Sequence, residues 1–253
     1  LIIGLVLGLI GGGGSILTVP ILVYFLDINP ILATAYSLFV VGITALVGAL
    51  RNLNKNLIEF KTGFVFAIPS FVGVYIARAY LLEIIPEKII IFSTSFLKET
   101  AIMIFFAIIM LLASYFMIRG HKENKAESKK NYNSFALIVE GFIVGILTGI
   151  VGAGGGFLII PALVLFAKLP MKKAVATSLL IIAIKSLFGF LGDLGNSNLI
   201  FDWQLLSIFT LLSIVGIFIG VYLTNFVDGK SLKKGFGLFV LTMSIIIIIK
   251  EFV

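Results

Sequence analysis

The chain has 253 residues, of which 60% are hydrophobic and 12% are charged, and its formal net charge is +7. A soluble domain carries about 25% charged residues, so a single soluble core could not cover this much apolar surface, and we expect the bilayer to solvate most of it. With no cysteine and one histidine, we expect no disulfide framework, no metal site, no cofactor and no histidine-based enzyme.

Eight apolar segments follow one another along the chain, and about 20 helical residues suffice to cross a bilayer. A polar run after residue 118 divides them, so we expect an N-terminal membrane repeat (1–118), a cytoplasmic linker (119–134) and a C-terminal membrane repeat (135–253). The first segment lacks the basic flank and small-residue cleavage site of a signal peptide. The segments cover residues 1–26, 31–50, 64–85, 99–118, 135–167, 174–192, 203–227 and 235–253.

The two halves of the chain repeat each other. At an offset of 141, residues 4–53 match residues 145–194 without a gap, with 19 identities in 50 pairs, and an offset of 143 pairs Val72-Gly73 with Val215-Gly216. Internal repeats of this kind are typical of secondary transporters. The pattern therefore predicts an all-α polytopic membrane protein built from two homologous four-segment repeats.

The basic residues favour an inverted arrangement of these repeats. If every segment crosses once, the lysines and arginines outside the apolar spans divide nine against nine between the two sides. If segments 1 and 5 are re-entrant, they divide fourteen against four, as the positive-inside rule requires. We expect inverted repeats with re-entrant first segments, and parallel repeats are the alternative. The loop lysines also indicate contact with lipid headgroups rather than with nucleic acid.

Each repeat begins with an apolar segment that a run of small residues interrupts. Glycine costs about 1 kcal/mol relative to alanine in a helix, so we expect the helix to break there and a half-helix to begin near Ser15 or Gly156. The exposed N–H groups and the helix dipole favour an anion at such a place. The first run is Gly11, Gly12, Gly13, Gly14 and Ser15, and the second is Gly152, Ala153, Gly154, Gly155 and Gly156.

Close helix packing through small residues is the alternative to an anion site. It is the interpretation that we favour for Gly4 and Gly8 and for their equivalents Gly145 and Gly149. The prolines that follow the glycine runs are expected to kink their helices. They are Pro20 and Pro161.

Segments 2 and 6 carry a sparse polar stripe. Ser37 and Thr44 are seven residues apart on one helix face, and Ser178 and Lys185 are their repeat equivalents. The two serines could bind substrate or join helices. A charge deep in an apolar span usually marks a substrate path, so we expect Lys185 to bind an anion or carry a proton; a structural pair with Asp193 is the alternative.

Three further charged residues lie near the ends of apolar segments. Asp193 is a candidate binding site for the coupling ion, either a proton or sodium, and Glu140 is a second candidate. Arg78 lies near the end of segment 3. For all three, a solvated helix end is the alternative that we favour.

Two stretches of this sequence resemble the twin signatures of the TauE/SafE sulfite exporter family. They run from Gly8 to Pro20 and from Gly149 to Pro161, and Ala176-Thr177-Ser178 and Phe201-Asp202-Trp203 resemble that family too. The resemblance implies a carrier for sulfite, organosulfonates or small organic anions, which would bind at the glycine runs and at Thr177 and Ser178. The two repeats are chemically unequal, because Ser15 is equivalent to Gly156 and Thr44 is equivalent to Lys185.

We therefore expect a multi-pass protein of the cell membrane that exports a small anion by alternating access and uses an ion gradient. A passive anion channel is the alternative. A nucleotide-driven pump would need a P-loop, and the glycine runs are not followed by the required lysine and hydroxyl residue. A membrane enzyme would need clustered acids or histidines, whereas this sequence has isolated ones. The exact substrate, coupling ion and oligomeric state stay open.

Overall fold

A computed structural model describes residues 1–91, 94–119, 134–151, 155–195, 199–227 and 229–252. In this part of the chain the backbone forms eleven α-helices, a π-helical turn at Ala77–Leu81 and a hairpin of the antiparallel strands β1 (Lys88–Ile91) and β2 (Thr94–Leu97). The helices are α1 Ile2–Ile10, α2 Gly13–Leu26, α3 Pro30–Leu53, α4 Phe60–Ile76, α5 Leu82–Ile84, α6 Lys98–Arg119, α7 Ser134–Val151, α8 Gly156–Leu165, α9 Met171–Leu194, α10 Trp203–Leu223 and α11 Gly229–Phe252.

Five helical stretches among the described residues are long and apolar enough to cross a membrane. Their outer faces carry exposed large apolar side chains, such as Leu112 and Leu211, which a bilayer would solvate. The prediction of a polytopic helical membrane protein is confirmed, although the strand hairpin was not predicted. The five stretches are Pro30–Leu53, Phe60–Ile84, Lys98–Tyr115, Met171–Leu194 and Trp203–Leu223.

The first and fifth apolar segments are each divided into two helices, as predicted. A Cβ atom added to Gly14 would overlap backbone and side-chain atoms of Ile3 and Leu7, and one added to Gly155 would overlap the Thr148 side chain. Residues seven apart in a continuous helix would be separated by about 10 Å along the axis. The chain therefore doubles back after α1 and again after α7, which forms two helical hairpins.

Equivalent glycines pack against equivalent helices of the other half. Gly4 of α1 abuts the Ser213 carbonyl of α10, and Gly145 of α7 abuts the Ser70 carbonyl of α4. A side chain at either glycine would collide with the facing backbone, so the predicted packing role is confirmed. Each half thus supplies one helix that closes against the other half.

The helices at the centre of the bundle, α3 and α9, run antiparallel. Gly42 of α3 lies beside Leu187 of α9, whereas Gly48 lies beside Leu179. Residue numbers therefore increase along α3 in the direction in which they decrease along α9. These two helices are repeat equivalents. Their opposite directions are those that an inverted repeat requires, while a parallel repeat would give both the same direction.

The helix directions separate two ends of the bundle. We define the basic end as the one that holds the C-terminal ends of α3, α6, α8 and α10; Arg51, Lys55 and Lys173 lie there. The other end, defined here as the acidic end, is held together by polar contacts between elements. There the Tyr24 hydroxyl donates to Glu251 at 2.7 Å, Asn29 donates to Glu99 at 2.6 Å, and Lys98 donates to the Leu82 carbonyl.

Candidate glycine-break site

The two glycine breaks meet inside the bundle. Gly12 and Gly156 are in backbone contact, so that a Cβ atom on either residue would overlap main-chain atoms of the other. Both residues are buried. The prediction that the breaks approach one another therefore holds for these two residues, and in this conformation they touch.

The half-helices begin at the breaks. α8 begins at Gly156, as predicted, and α2 begins at Gly13, two residues before Ser15. Their N-cap residues, Gly12 and Gly155, have no side chain with which to accept a hydrogen bond from the first helical turn. The first-turn N–H groups are thus not capped in the way that serine or aspartate would cap them. The predicted site residues Gly152, Ala153 and Gly154 lie outside the described residues.

Lys185 reaches the N-terminal end of α8. Its side chain is fully buried, and its Nζ donates to the Thr148 hydroxyl at 2.6 Å. A Cβ atom at Gly155 would overlap this Nζ atom, so the ammonium group lies against the N-cap of α8. The lysine charge and the positive end of the α8 dipole therefore occupy the same small region, and together they favour an anion.

No carboxylate among the described residues pairs with Lys185. The ion pairs in this part of the chain join Arg78 to Asp193 and Lys173 to Glu59, each at 2.7 Å. A buried ammonium without a counter-charge is costly, and such residues in membrane proteins usually face a substrate path. The alternative that Lys185 pairs with Asp193 is wrong.

Ser178 holds the first break. Its hydroxyl oxygen lies 2.9 Å from the Gly11 carbonyl and 2.8 Å from the Val175 carbonyl. Gly11 has φ 72°, in the left-handed region, where α1 ends. Only glycine adopts that conformation without strain, so the backbone can turn there toward Ser178.

The remaining predicted hydroxyl groups lie in different places. Ser37 is buried on α3, and its oxygen has no hydrogen-bond partner among the described residues. The Thr177 hydroxyl accepts from the Glu59 N–H at 3.0 Å at the basic end. Pro20 and Pro161 lie inside α2 and α8, one to two turns beyond the breaks.

Asp193 and Arg78 form a buried ion pair. The Arg78 Nε and Nη2 atoms each lie 2.7 Å from Asp193 Oδ1, and both side chains are buried. The interpretation of both residues as solvated helix ends is therefore wrong, because each one supplies the counter-charge that allows the other to be buried. Glu140, the third such residue, is partly buried on α7, and its Oε2 has no hydrogen-bond partner among the described residues.

Thr148 is a site residue that sequence reasoning missed. It is buried on α7, and its repeat equivalent is Leu7. In the sequence, a threonine stands where the first repeat has leucine, four residues before a glycine run, and this difference could have identified Thr148 as a site residue.

Among the residues that the structure describes, no group of three histidine, aspartate or glutamate side chains could hold a metal ion.

The chain is similar throughout its length to a family of membrane proteins. The sequence model described as "Sulfite exporter TauE/SafE" matches residues 1–247. A "Probable membrane transporter protein" of Xylella fastidiosa (strain 9a5c) is 28% identical over 255 aligned residues, which cover 98% of this chain and 91% of that protein. "Probable membrane transporter protein YunE" of Bacillus subtilis (strain 168) is 30% identical over 217 residues, which cover 75% and 73%. No solved structure matches the chain.

Proposed function

The chain belongs to the TauE/SafE sulfite exporter family, and we propose that it is a secondary transporter that exports a small anion, such as sulfite, an organosulfonate or a related organic acid, by alternating access. The observation that carries the proposal is the buried Lys185 ammonium group at the glycine-capped start of α8. That place combines two sources of positive potential with no described carboxylate beside it.

We assign the substrate to the region between the two breaks. The first-turn N–H groups of α2 and α8 would bind its oxygen atoms, and Lys185 would balance its charge. The hydroxyl groups of Thr148, Ser178 and Ser37 would complete the site. Since Gly12 and Gly156 touch in this conformation, the breaks must separate for an anion to enter, and a conformational step is therefore part of the proposed cycle.

We further propose that the two repeats (1–118 and 135–253) are inverted and that the linker (119–134) is cytoplasmic in the cell membrane. The antiparallel α3 and α9 support this orientation. The basic end carries most of the lysines and would then be the cytoplasmic end. Alternating access would follow if the repeats exchange conformations and so expose the site to each end in turn.

A proton or sodium gradient would drive export, and Lys185 is our candidate for the coupling residue. A bound anion and a charged lysine neutralise one another, so the loaded site can cross between conformations at a lower electrostatic cost than the empty one. Asp193 is a weaker candidate, because Arg78 already occupies its Oδ1.

Flux measurements test the proposal. Purified protein in liposomes should move radiolabelled sulfite or a small organosulfonate, and an imposed pH or sodium gradient should change the rate. A passive anion channel is the alternative function; it would conduct orders of magnitude faster and show no counter-flow. If protein that is shown to be folded moves no sulfur oxyanion or carboxylate under any gradient, anion export is wrong.

A further inference from the structure

The Arg78–Asp193 pair ties together four helical elements at the acidic end of the bundle. Arg78 belongs to the π-helical turn after α4, and Asp193 belongs to the last turn of α9. The Arg78 Nη1 atom also donates to the Thr34 hydroxyl of α3 at 2.8 Å and lies 3.4 Å from the Gly149 carbonyl of α7. One guanidinium group thus joins elements from both halves of the chain, and π-turns of this kind are frequent at functional sites.

The equivalent place at the basic end has similar packing without a buried ion pair. By the offsets of 141 and 143, the equivalents of Asp193 and Arg78 are Asn52 and Val221. Asn52 donates to the Gly48 carbonyl of its own helix at 2.9 Å, so it does not join two helices in that contact. Gly8, the equivalent of Gly149, packs against the Val221 backbone. The two ends therefore share a backbone arrangement, while the buried ion pair lies at the acidic end and the ion pair at the basic end, Lys173 with Glu59, is partly exposed.

We propose that Arg78 and Asp193 form a gate that closes the acidic end of the transport path. The proposal rests on the proposed function, because a gate has meaning only if the site opens to the two ends in turn. Opening this end must separate the ion pair and the contacts of Arg78 with Thr34 and Gly149, which favours the closed state of this end. At the basic end, the equivalent residues Val221 and Asn52 carry no charge and the Lys173–Glu59 ion pair is partly exposed, so that end opens at a lower cost.

A gate of this kind also gives the substrate a direct way to open it. The Gly149 carbonyl beside Arg78 lies three residues before the second glycine run. An anion that leaves the site toward the acidic end can replace the Asp193 carboxylate on the guanidinium group. A ligand shifts a conformational equilibrium only by the interactions that differ between the two states, and this exchange is one such interaction.

Thiol labelling of the whole protein tests the gate. The chain has no cysteine, so single Ser37→Cys and Ser178→Cys variants report the accessibility of equivalent buried positions. A membrane-impermeant thiol reagent would be added to right-side-out and inside-out vesicles. The test variant is Arg78→Val with Asp193→Asn, which gives the acidic end the residues of the basic end. The matched control is Glu59→Gln, which removes the partly exposed pair with Lys173.

In the double variant, labelling of Ser37→Cys from the acidic end should rise about tenfold or more. The labelling rate follows the fraction of protein that is open at the acidic end, and the loss of the ion pair should raise that fraction. Labelling of Ser178→Cys from the basic end should fall, and the control should leave both rates unchanged. A folded double variant with unchanged rates would overturn the gate. Asp193→Asn alone is the second variant, and if neither protein folds, the pair is a requirement of the fold and the gate is also rejected. Absence of anion flux through the protein without substitutions would instead contradict the transport function and would not bear on the gate.

Discussion

The two glycine breaks share one equivalent contact, and the chemistry of that contact differs between them. In the first half, Leu7 lies against Gly14; in the second half, Thr148 lies against Gly155 in the equivalent contact. Thr44 bonds to the Val40 carbonyl of its own helix, whereas its equivalent Lys185 reaches across to Thr148. The repeat thus supplies two equivalent helical hairpins, which we call the frame, while the contact of a lysine with a threonine is made at the second break alone among the described residues. We infer that the frame provides the conformational change and that the second break provides the affinity for an anion.

Removing the chemistry of the second break should have the largest effect. Lys185→Thr combined with Thr148→Leu would place at these two positions the residues of the first repeat, so the second break should fold without a buried charge. We expect anion flux to fall by about a hundredfold or more, because a charge-assisted contact to a desolvated anion is worth about 2–4 kcal/mol. Radiolabelled flux in liposomes measures it, with thermal unfolding in detergent to check the fold.

Lys173→Ala is the matched control for that experiment. Lys173 belongs to the same helix as Lys185, but its side chain is more than a third exposed and its ammonium group pairs with Glu59. Exposed ion pairs contribute little to stability, so this variant should transport at close to the normal rate. Equal loss of flux in both variants would mean that general charge, rather than the Lys185 position, matters.

Filling the contact between the breaks should have the next largest effect. Gly12→Val and Gly156→Val each place side-chain atoms where the facing main chain lies, so the hairpins must move apart and the valine fills the space between the breaks that an anion would enter. We expect binding of the anion to be blocked, and we expect the same of bulky residues at Gly13 and Gly154. Equilibrium binding of radiolabelled sulfite to purified protein measures this effect. Gly235→Val is the control, since a Cβ atom there meets no other atom among the described residues; normal binding by the Gly12 and Gly156 variants would contradict the assigned site.

Much of this architecture could be predicted from the sequence, because membrane helices and helix breaks are local properties. The divided first and fifth segments follow from contiguous glycines, and the tight helix contacts follow from the spacing of Gly4 and Gly8. The Arg78–Asp193 pair could not be predicted in this way. Its members are separated by 115 residues, and each one alone resembles the solvated end of a helix. A charge near a helix end is informative only when the packing of the neighbouring helices is known.

The two equivalent serines offer the smallest effect and the most direct comparison of the two frames. The Ser178 hydroxyl contacts the Gly11 carbonyl, whereas the Ser37 hydroxyl has no hydrogen-bond partner among the described residues. Ser178→Ala should therefore lower the free energy of unfolding by about 1 kcal/mol, the net value of a typical intramolecular hydrogen bond. Ser37→Ala should leave it unchanged or raise it slightly, because a buried hydroxyl without a partner already carries a desolvation cost. Thermal unfolding of both variants in the same detergent measures the difference. Equal destabilisation by the two substitutions would mean that Ser37 has a partner of equal strength, and the proposed availability of its hydroxyl for an anion would be wrong.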